Sequence, residues 1–143
     1  MISTQETRAT VRPDFDGPYL EGMAWDLATV SGALSEIATT WRRALPCRPD
    51  LPLDLPQRLA DMARRLAADI RSLAAARALG EERADLGLEV TIRMSALSQG
   101  ADYARAITLT AGAASVGDAP LWELLRPALR RTGRTFTSSQ AAG

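Results

Sequence analysis

The stretch from Tyr19 to Leu45 constrains the fold more than any other part of the chain. Large apolar residues recur along it at alternating spacings of three and four, which is the pattern of a helix that buries one seam along its length. These residues are Leu20, Met23, Leu27, Val30, Leu34, Ile37 and Trp41. Between Asp26 and Arg42 only Glu36 is charged. We therefore expect this helix to be covered on more than one face, by the rest of the chain or by another protein.

Small residues beside this seam form a candidate surface for a partner. Gly22 and Gly32 each cost about 1 kcal/mol against alanine in a helix interior, and are easiest to explain where another backbone comes close. Trp25 lies on the same side together with Thr29, and tryptophan among small residues is typical of an interface anchor. The sequence thus predicts these four residues as partner-binding candidates. Trp25 is equally suited to pack under a third element of the same chain, and we slightly favour this interpretation.

Three prolines follow the first helix. Pro46, Pro49 and Pro52 recur every third residue, which favours an extended, polyproline-type connector. Such a segment is either a ligand for a proline-binding groove or a stiff loop between two antiparallel helices. We favour the loop, because a predicted helix lies immediately on each side of it.

A second helix is predicted after this connector, opened by a capping-box pattern. Asp54 is the expected N-cap, with Pro56 in the first turn and Gln57 three residues after the cap. Its buried stripe is predicted to contain Leu55, Leu59, Met62, Leu66, Ile70 and Leu73. Gly80 suits the position just past the end of this helix.

Residues 86–111 are ambiguous between helix and strand. An inner helical face of Leu86, Val90, Met94 and Leu97 follows an acidic first turn, and we favour this interpretation. Residues 86–95 also alternate strictly between apolar and other side chains, and residues 107–111 do the same, as in a β-hairpin. In the helical version, a break over residues 98–102 separates two segments, and Asp102 caps the second.

A last helix is predicted after Gly117. Asp118 is its expected N-cap, and Trp122 and Leu125 follow at helical spacing as further partner-binding candidates. Pro127 should kink or shorten this helix. Arginines cluster near its end, at Arg126, Arg130, Arg131 and Arg134. They either complement the helix dipole or form a short patch that contacts phosphates.

Composition argues against most enzyme chemistry. The chain has no histidine, which excludes a histidine-containing zinc site and Ser-His or Cys-His pairs. The one cysteine, Cys47, has no base near it in the sequence and allows no internal disulfide. Carboxylate pairs such as Asp61 with Asp69, or Asp85 with Glu89, can share a helix face, as solvated residues also do. Net charge is zero, which removes any overall attraction to nucleic acid or membranes. No cofactor, metal or small-molecule substrate is predicted.

Together these features predict a mainly α protein. A long antiparallel helical hairpin is extended to a three- or four-helix bundle with a short C-terminal helix; the alternative is α+β, with residues 86–111 as a hairpin. Residues 1–17 are expected to be a mobile arm, with Asp16 capping the first helix, 18–131 a single domain, and 132–143 a disordered tail.

The function predicted from these features is non-enzymatic. We expect a bacterial, cytoplasmic adaptor, accessory subunit or regulatory partner that binds a protein or a second copy of itself. The arginine-only cations are consistent with coding from a GC-rich bacterial genome. A small nucleic-acid-associated regulator that uses the C-terminal arginines is the first alternative. An enzyme with a carboxylate-based site is the second.

Overall fold

The computed structural model describes the backbone of residues 17–110 and 112–142, and the side chains of residues 19–110 and 112–132. These residues form four helices, α1 (Gly17–Ala44), α2 (Asp54–Ala78), α3 (Ala84–Thr108) and α4 (Ala119–Ala142). No strand occurs within the described ranges. The protein is therefore a mainly α helical bundle, as the sequence predicts, and the hairpin alternative for residues 86–111 is wrong.

The four helices occupy the corners of a square. Helix α1 makes its main contacts with α2 and α4, and α3 also makes its main contacts with α2 and α4. Side-chain pairs show that neighbours run antiparallel: Trp41 near the end of α1 meets Asp118 at the start of α4, and Asp26 near the start of α1 meets Arg131. This arrangement places α1 and α3 at diagonally opposite corners.

The predicted seam of α1 is the centre of the core. Each of its seven large apolar residues is at most 5% exposed. Two helices, α2 and α4, cover this side of α1. The other side is exposed at Ala28, Thr29, Gly32, Glu36 and Thr39, so the described part of the chain does not itself provide the expected cover on more than one face. The Ser31 hydroxyl donates to the Ala60 carbonyl oxygen of α2 at 2.9 Å, which satisfies a buried polar group where the two helices touch.

Helix α3 is continuous, and the predicted break at residues 98–102 is absent. Strand-like alternation arises because α3 is apolar on two sides: Val90 and Met94 are buried, whereas Leu88 and Ile92 are exposed. Gly100 is a close-contact residue, because an added Cβ would lie 2.6 Å from Leu59 Cδ2 of α2. Gly100, which lies within the predicted break, thus allows α2 and α3 to approach closely.

The connector between α1 and α2 differs from the predicted polyproline conformation. Its backbone forms successive turns, with Arg48 N donating to Ala44 O at 2.8 Å and Leu51 N donating to Arg48 O at 3.2 Å. The connector therefore compacts into a loop that joins two antiparallel helices.

The predicted side-chain cap of α2 is also absent. Helix α2 starts at Asp54 without a side-chain cap bond. Leu55 N donates to Pro52 O at 3.0 Å, and Leu53 is already in the right-handed helical region, so a backbone turn leads directly into the helix. Asp54 pairs instead with Arg58, and Gln57 donates to Asp61.

Gly80 ends α2 as predicted. Its φ of 77° is the left-handed conformation that favours glycine. Gly80 N donates to Arg77 O and Glu81 N donates to Ala76 O, both at 2.9 Å, which is the Schellman pattern.

Helix α4 is longer than the short C-terminal helix that the sequence predicts. It passes through Pro127 without ending, and its backbone is helical over residues 132–142, where a disordered tail is predicted. The predicted arm at residues 1–17 and its Asp16 cap lie outside the described residues, apart from the backbone of Gly17. The domain boundaries stay a prediction.

Candidate functional site

One stripe of α1 is left uncovered by the bundle. Gly22, Trp25, Thr29 and Gly32 share this stripe, which we call the Trp25 face. Trp25 is 72% exposed, so the favoured interpretation that it packs under a third element of the same chain is wrong. A Cβ added to Gly22 or Gly32 would meet nothing within 4 Å. Among the described residues, nothing therefore depends on the small size of these two glycines.

Trp122 and Leu125 lie in the core and not on this face. They are 2% and 0% exposed, respectively, and belong to the same hydrophobic cluster as Trp41. The structure thus separates the six partner-binding candidates into four surface residues and two core residues. Only the surface group can meet a partner without rearrangement of the bundle.

A buried carboxylate ties α1 to α4. Asp118 is 5% exposed, and its Oδ2 accepts hydrogen bonds from Trp41 Nε1 at 3.1 Å and from Trp122 Nε1 at 2.8 Å. The side chain predicted to cap α4 therefore serves two indoles. A tryptophan in a predicted buried seam is expected to need an acceptor for its indole N–H. The sequence does not show which residue accepts, because Asp118 lies 77 positions after Trp41.

Arg48 is a second polar group that the sequence analysis missed. It is 4% exposed and pairs through two hydrogen bonds of 2.9 Å with Asp50. It also donates to the carbonyl oxygens of Ile107 and Ala114 at 3.0 and 2.9 Å. The hydrogen bond with Asp50 raises the pKa of Arg48 and lowers the pKa of Asp50. Arg48 thus fixes the connector to the end of α3, which is a structural role.

The C-terminal arginines do not share one surface. Arg131 pairs with Asp26 of α1 at 3.0 Å, and this hydrogen bond raises the pKa of Arg131. Arg126 and Arg130 lie on the side of α4 that faces α3. The side chain of Arg134 is outside the described residues. The arginines that can be placed therefore divide between the α1 side and the α3 side of α4.

Arg126 and Arg130 line a groove between α3 and α4, and α3 contributes a third arginine, Arg105. The cavity has a volume of about 240 Å³ and is lined by Ser98, Ala101, Asp102, Arg105, Trp122, Arg126, Leu129 and Arg130. We call this the arginine groove. Sequence analysis missed the contribution of α3, because nothing in the spacing shows that residues 98–105 face residues 122–130.

The carboxylate pairs considered for catalysis are held in ion pairs with arginine. Asp69 and Glu89 both contact Arg93, at 2.8 and 3.2 Å, and Asp61 pairs with Arg64. Asp85 lies 3.6 Å from Arg83. Across the described residues, no group of three or more Asp, Glu or Cys side chains is placed to hold a metal ion. These carboxylates link α2 to α3 and stabilise single helices.

Helix α3 carries an apolar exposed side at the corner opposite α1. Leu88, Ile92 and Tyr103 are between 53% and 63% exposed and lie on one side of the helix. Their exposure explains how α3 can be apolar without being buried all round. In the described part of the chain, no helix combines the length and the hydropathy needed to cross a bilayer.

Comparison with family models, with curated proteins and with solved structures finds no match to this chain. A functional hypothesis therefore depends on the Trp25 face and the arginine groove.

Proposed function

We propose that this chain is a bacterial, cytoplasmic interaction protein without enzymatic activity, an adaptor or accessory subunit that binds a larger protein through helix–helix contacts. The Trp25 face is the proposed binding surface. One observation carries the proposal: a tryptophan that is 72% exposed stands between two glycines whose open sides the bundle leaves empty.

Energetics support a partner at this face. Each helical glycine costs roughly 0.5–1 kcal/mol of stability relative to alanine, and no contact from the described residues offsets that cost at Gly22 or Gly32. A tryptophan side chain offers about 150–250 Å² of contact area to a partner. Two glycines beside it let a second helix approach closely enough to cover that area.

Charge on this face favours a helix of another protein over a second copy. In an antiparallel pair of α1 helices that places Trp25 of one copy over Gly32 of the other, Glu21 of each copy falls opposite Glu36. Both glutamates are exposed, so the register brings like charges together on each side of the seam. The proposed occupant is therefore an amphipathic helix with a bulky apolar residue for the glycines and Lys or Arg beside it.

Capture experiments test this proposal. The full chain is used as bait in a lysate of the organism that encodes it, next to Trp25→Ala and Gly32→Leu. We expect the wild type to capture a protein that both variants lose. Tyr103→Ala is the matched control, because Tyr103 is an exposed aromatic residue at the opposite corner of the bundle and should not affect capture.

Gly32→Ala separates binding from folding. Because a Cβ at Gly32 meets nothing within 4 Å, alanine should raise the free energy of unfolding of the isolated chain by about 0.5–1 kcal/mol. The same methyl group should weaken capture. Capture that is unchanged by Trp25→Ala and Gly32→Leu, or no capture at all, contradicts the proposal. If light scattering shows that the isolated chain self-associates and Trp25→Ala prevents this, the partner at the Trp25 face is a second copy of the chain and not another protein.

A further inference from the structure

We propose that the arginine groove binds a small molecule that carries a phosphate or pyrophosphate group. This site is independent of the Trp25 face. Three arginines from two helices, Arg105 of α3 with Arg126 and Arg130 of α4, line this cavity of about 240 Å³.

Unbalanced charge is the first argument. Three arginines line the groove against a single carboxylate, Asp102, in a chain whose net charge is zero. Arg126 and Arg130 are also four residues apart on one helix, where like charges are slightly destabilising. The bundle therefore concentrates positive charge at a place where this costs stability unless an anion binds.

The pairing of the other arginines is the second argument. Within the described residues, Arg48, Arg58, Arg64, Arg83, Arg93 and Arg131 all form ion pairs with carboxylates. None of the three groove arginines has a carboxylate within ion-pair distance in that part of the chain. Four other arginines also form no described ion pair, but they are exposed and line no described cavity, whereas Arg105 and Arg126 are half-buried; the four are Arg42, Arg43, Arg65 and Arg71.

Ligand chemistry follows from the lining. Guanidinium groups match the oxygens of phosphate with paired, charge-assisted hydrogen bonds, and three of them suit a group with two or more negative charges. Ala101, Trp122 and Leu129 supply an apolar wall for the rest of the ligand, and Ser98 and Asp102 can accept hydrogen bonds from its hydroxyl groups. The volume is below the roughly 300–1,000 Å³ of drug-sized sites, so the ligand is small.

Pyrophosphate is the probe for the test. Amide chemical shifts of the full chain are followed by NMR as pyrophosphate is added, at low and at moderate salt. We expect saturable shifts confined to residues 98–105 and 122–130. Arg105→Gln and Arg126→Gln should each weaken binding about tenfold, since each removes one charge-assisted contact. Arg71→Gln, an exposed arginine on α2, is the matched control and should leave the affinity unchanged.

Asp102→Asn adds a change in the opposite direction. Asp102 is the one carboxylate among the described residues that line the groove, and its removal should tighten pyrophosphate binding, an effect that misfolding cannot produce. Absence of saturable shifts, or equal losses for Arg105→Gln and Arg71→Gln, overturns the proposal. Equal affinity for succinate also overturns it, because the groove would then be a general anion site.

A single-stranded DNA oligonucleotide is the last probe. Arg131 points away from the groove and pairs with Asp26, so Arg131→Gln should not change pyrophosphate binding. If the oligonucleotide binds more tightly than pyrophosphate and Arg131→Gln weakens it as much as Arg126→Gln, the ligand is a nucleic acid polymer. That result contradicts a site for a small molecule.

Discussion

Asp118 provides one carboxylate oxygen for two buried indoles. Replacement with alanine leaves Trp41 Nε1 and Trp122 Nε1 without their acceptor, and each unsatisfied buried donor costs about 1–3 kcal/mol. We expect Asp118→Ala to lower the free energy of unfolding by at least about 2 kcal/mol, as measured by urea denaturation at neutral pH. Asp118→Asn retains an oxygen acceptor and should cost clearly less. Equal losses would show that the shared acceptor is not the source of the stability.

Gly100 and Gly87 form a matched pair of helical glycines on α3. A Cβ at Gly100 would lie 2.6 Å from Leu59 Cδ2, whereas a Cβ at Gly87 meets nothing within 4 Å. Gly87→Ala should therefore stabilise the protein by about 0.5–1 kcal/mol. Gly100→Ala should destabilise it by about 1 kcal/mol or more, because Leu59 is buried and cannot move freely. Thermal unfolding of the two variants checks the difference, and equal shifts would argue against a tight contact between α2 and α3.

Asp50 links the stability of the connector to pH. The hydrogen bond from Arg48 lowers the pKa of Asp50 in the folded protein. A lowered carboxylate pKa stabilises the fold above the unfolded-state pKa of about 3.9, and this stabilisation is lost as pH falls through the folded-state pKa. Asp50→Asn should therefore be less stable than the wild type at pH 7, and the difference should shrink in urea unfolding at progressively lower pH below 4. A difference that stays constant with pH would contradict this role.

At the level of single helices, Pro127 lies inside α4, and we expect it to limit the stability of that helix. Proline removes a backbone donor, which costs about 3 kcal/mol in a helix interior. The side chain of Pro127 is exposed, so its replacement creates no cavity. Pro127→Ala should raise the midpoint of thermal unfolding. Pro120→Ala is the control, because proline is tolerated in the first turn, and it should have little effect. A fall in the midpoint with Pro127→Ala would show that the ring packs usefully.

Helices whose apolar residues all lie on one face could be predicted from the sequence. The seam of α1 and the Schellman end of α2 at Gly80 depend on neighbours a few residues away, so their patterns are visible in a single chain. Helix α3 was ambiguous because apolar residues on its exposed side, Leu88 and Ile92, add to the buried Val90 and Met94 and produce an apparent strand period.

The candidate site was only partly predictable for a similar reason. Trp25 and the glycines beside it share one helix, so helical spacing alone places them together. Arg105 reaches the arginine groove only because α3 packs beside α4, and Arg48 reaches the carbonyl oxygens of Ile107 and Ala114 only after the chain folds. Contacts between elements depend on how the helices are arranged, which the spacing of residues within one helix does not specify.

At the scale of the whole molecule, the two proposed sites lie on different sides of the bundle. The Trp25 face lies on α1, and the arginine groove lies between α3 and α4. Substitutions at one site should therefore leave binding at the other unchanged, since distant positions without shared partners behave additively.

Helix α3 is less covered than α1 and α2. It buries five residues, Val90, Met94, Leu97, Ala101 and Ala104, whereas α2, of equal length, buries ten. Few buried apolar contacts are typical of a unit that opens below the global unfolding energy. We expect the amides of α3 to exchange hydrogen before those of α1 and α2 in native-state exchange at low denaturant.

Pyrophosphate should slow exchange in α3 selectively, because the arginine groove ties α3 to α4 when a ligand is bound. A ligand that binds only the closed form stabilises that form by about 2.7 kcal/mol when the ligand concentration is 100 times the dissociation constant. Arg105→Gln, which is expected to weaken binding about tenfold, should reduce this protection to about 1.4 kcal/mol at the same pyrophosphate concentration while leaving exchange without ligand unchanged. If the amides of α3 exchange at the same rate as those of α1 both with and without pyrophosphate, the bundle opens only as one unit. There is then no separate opening of α3 for the ligand to suppress.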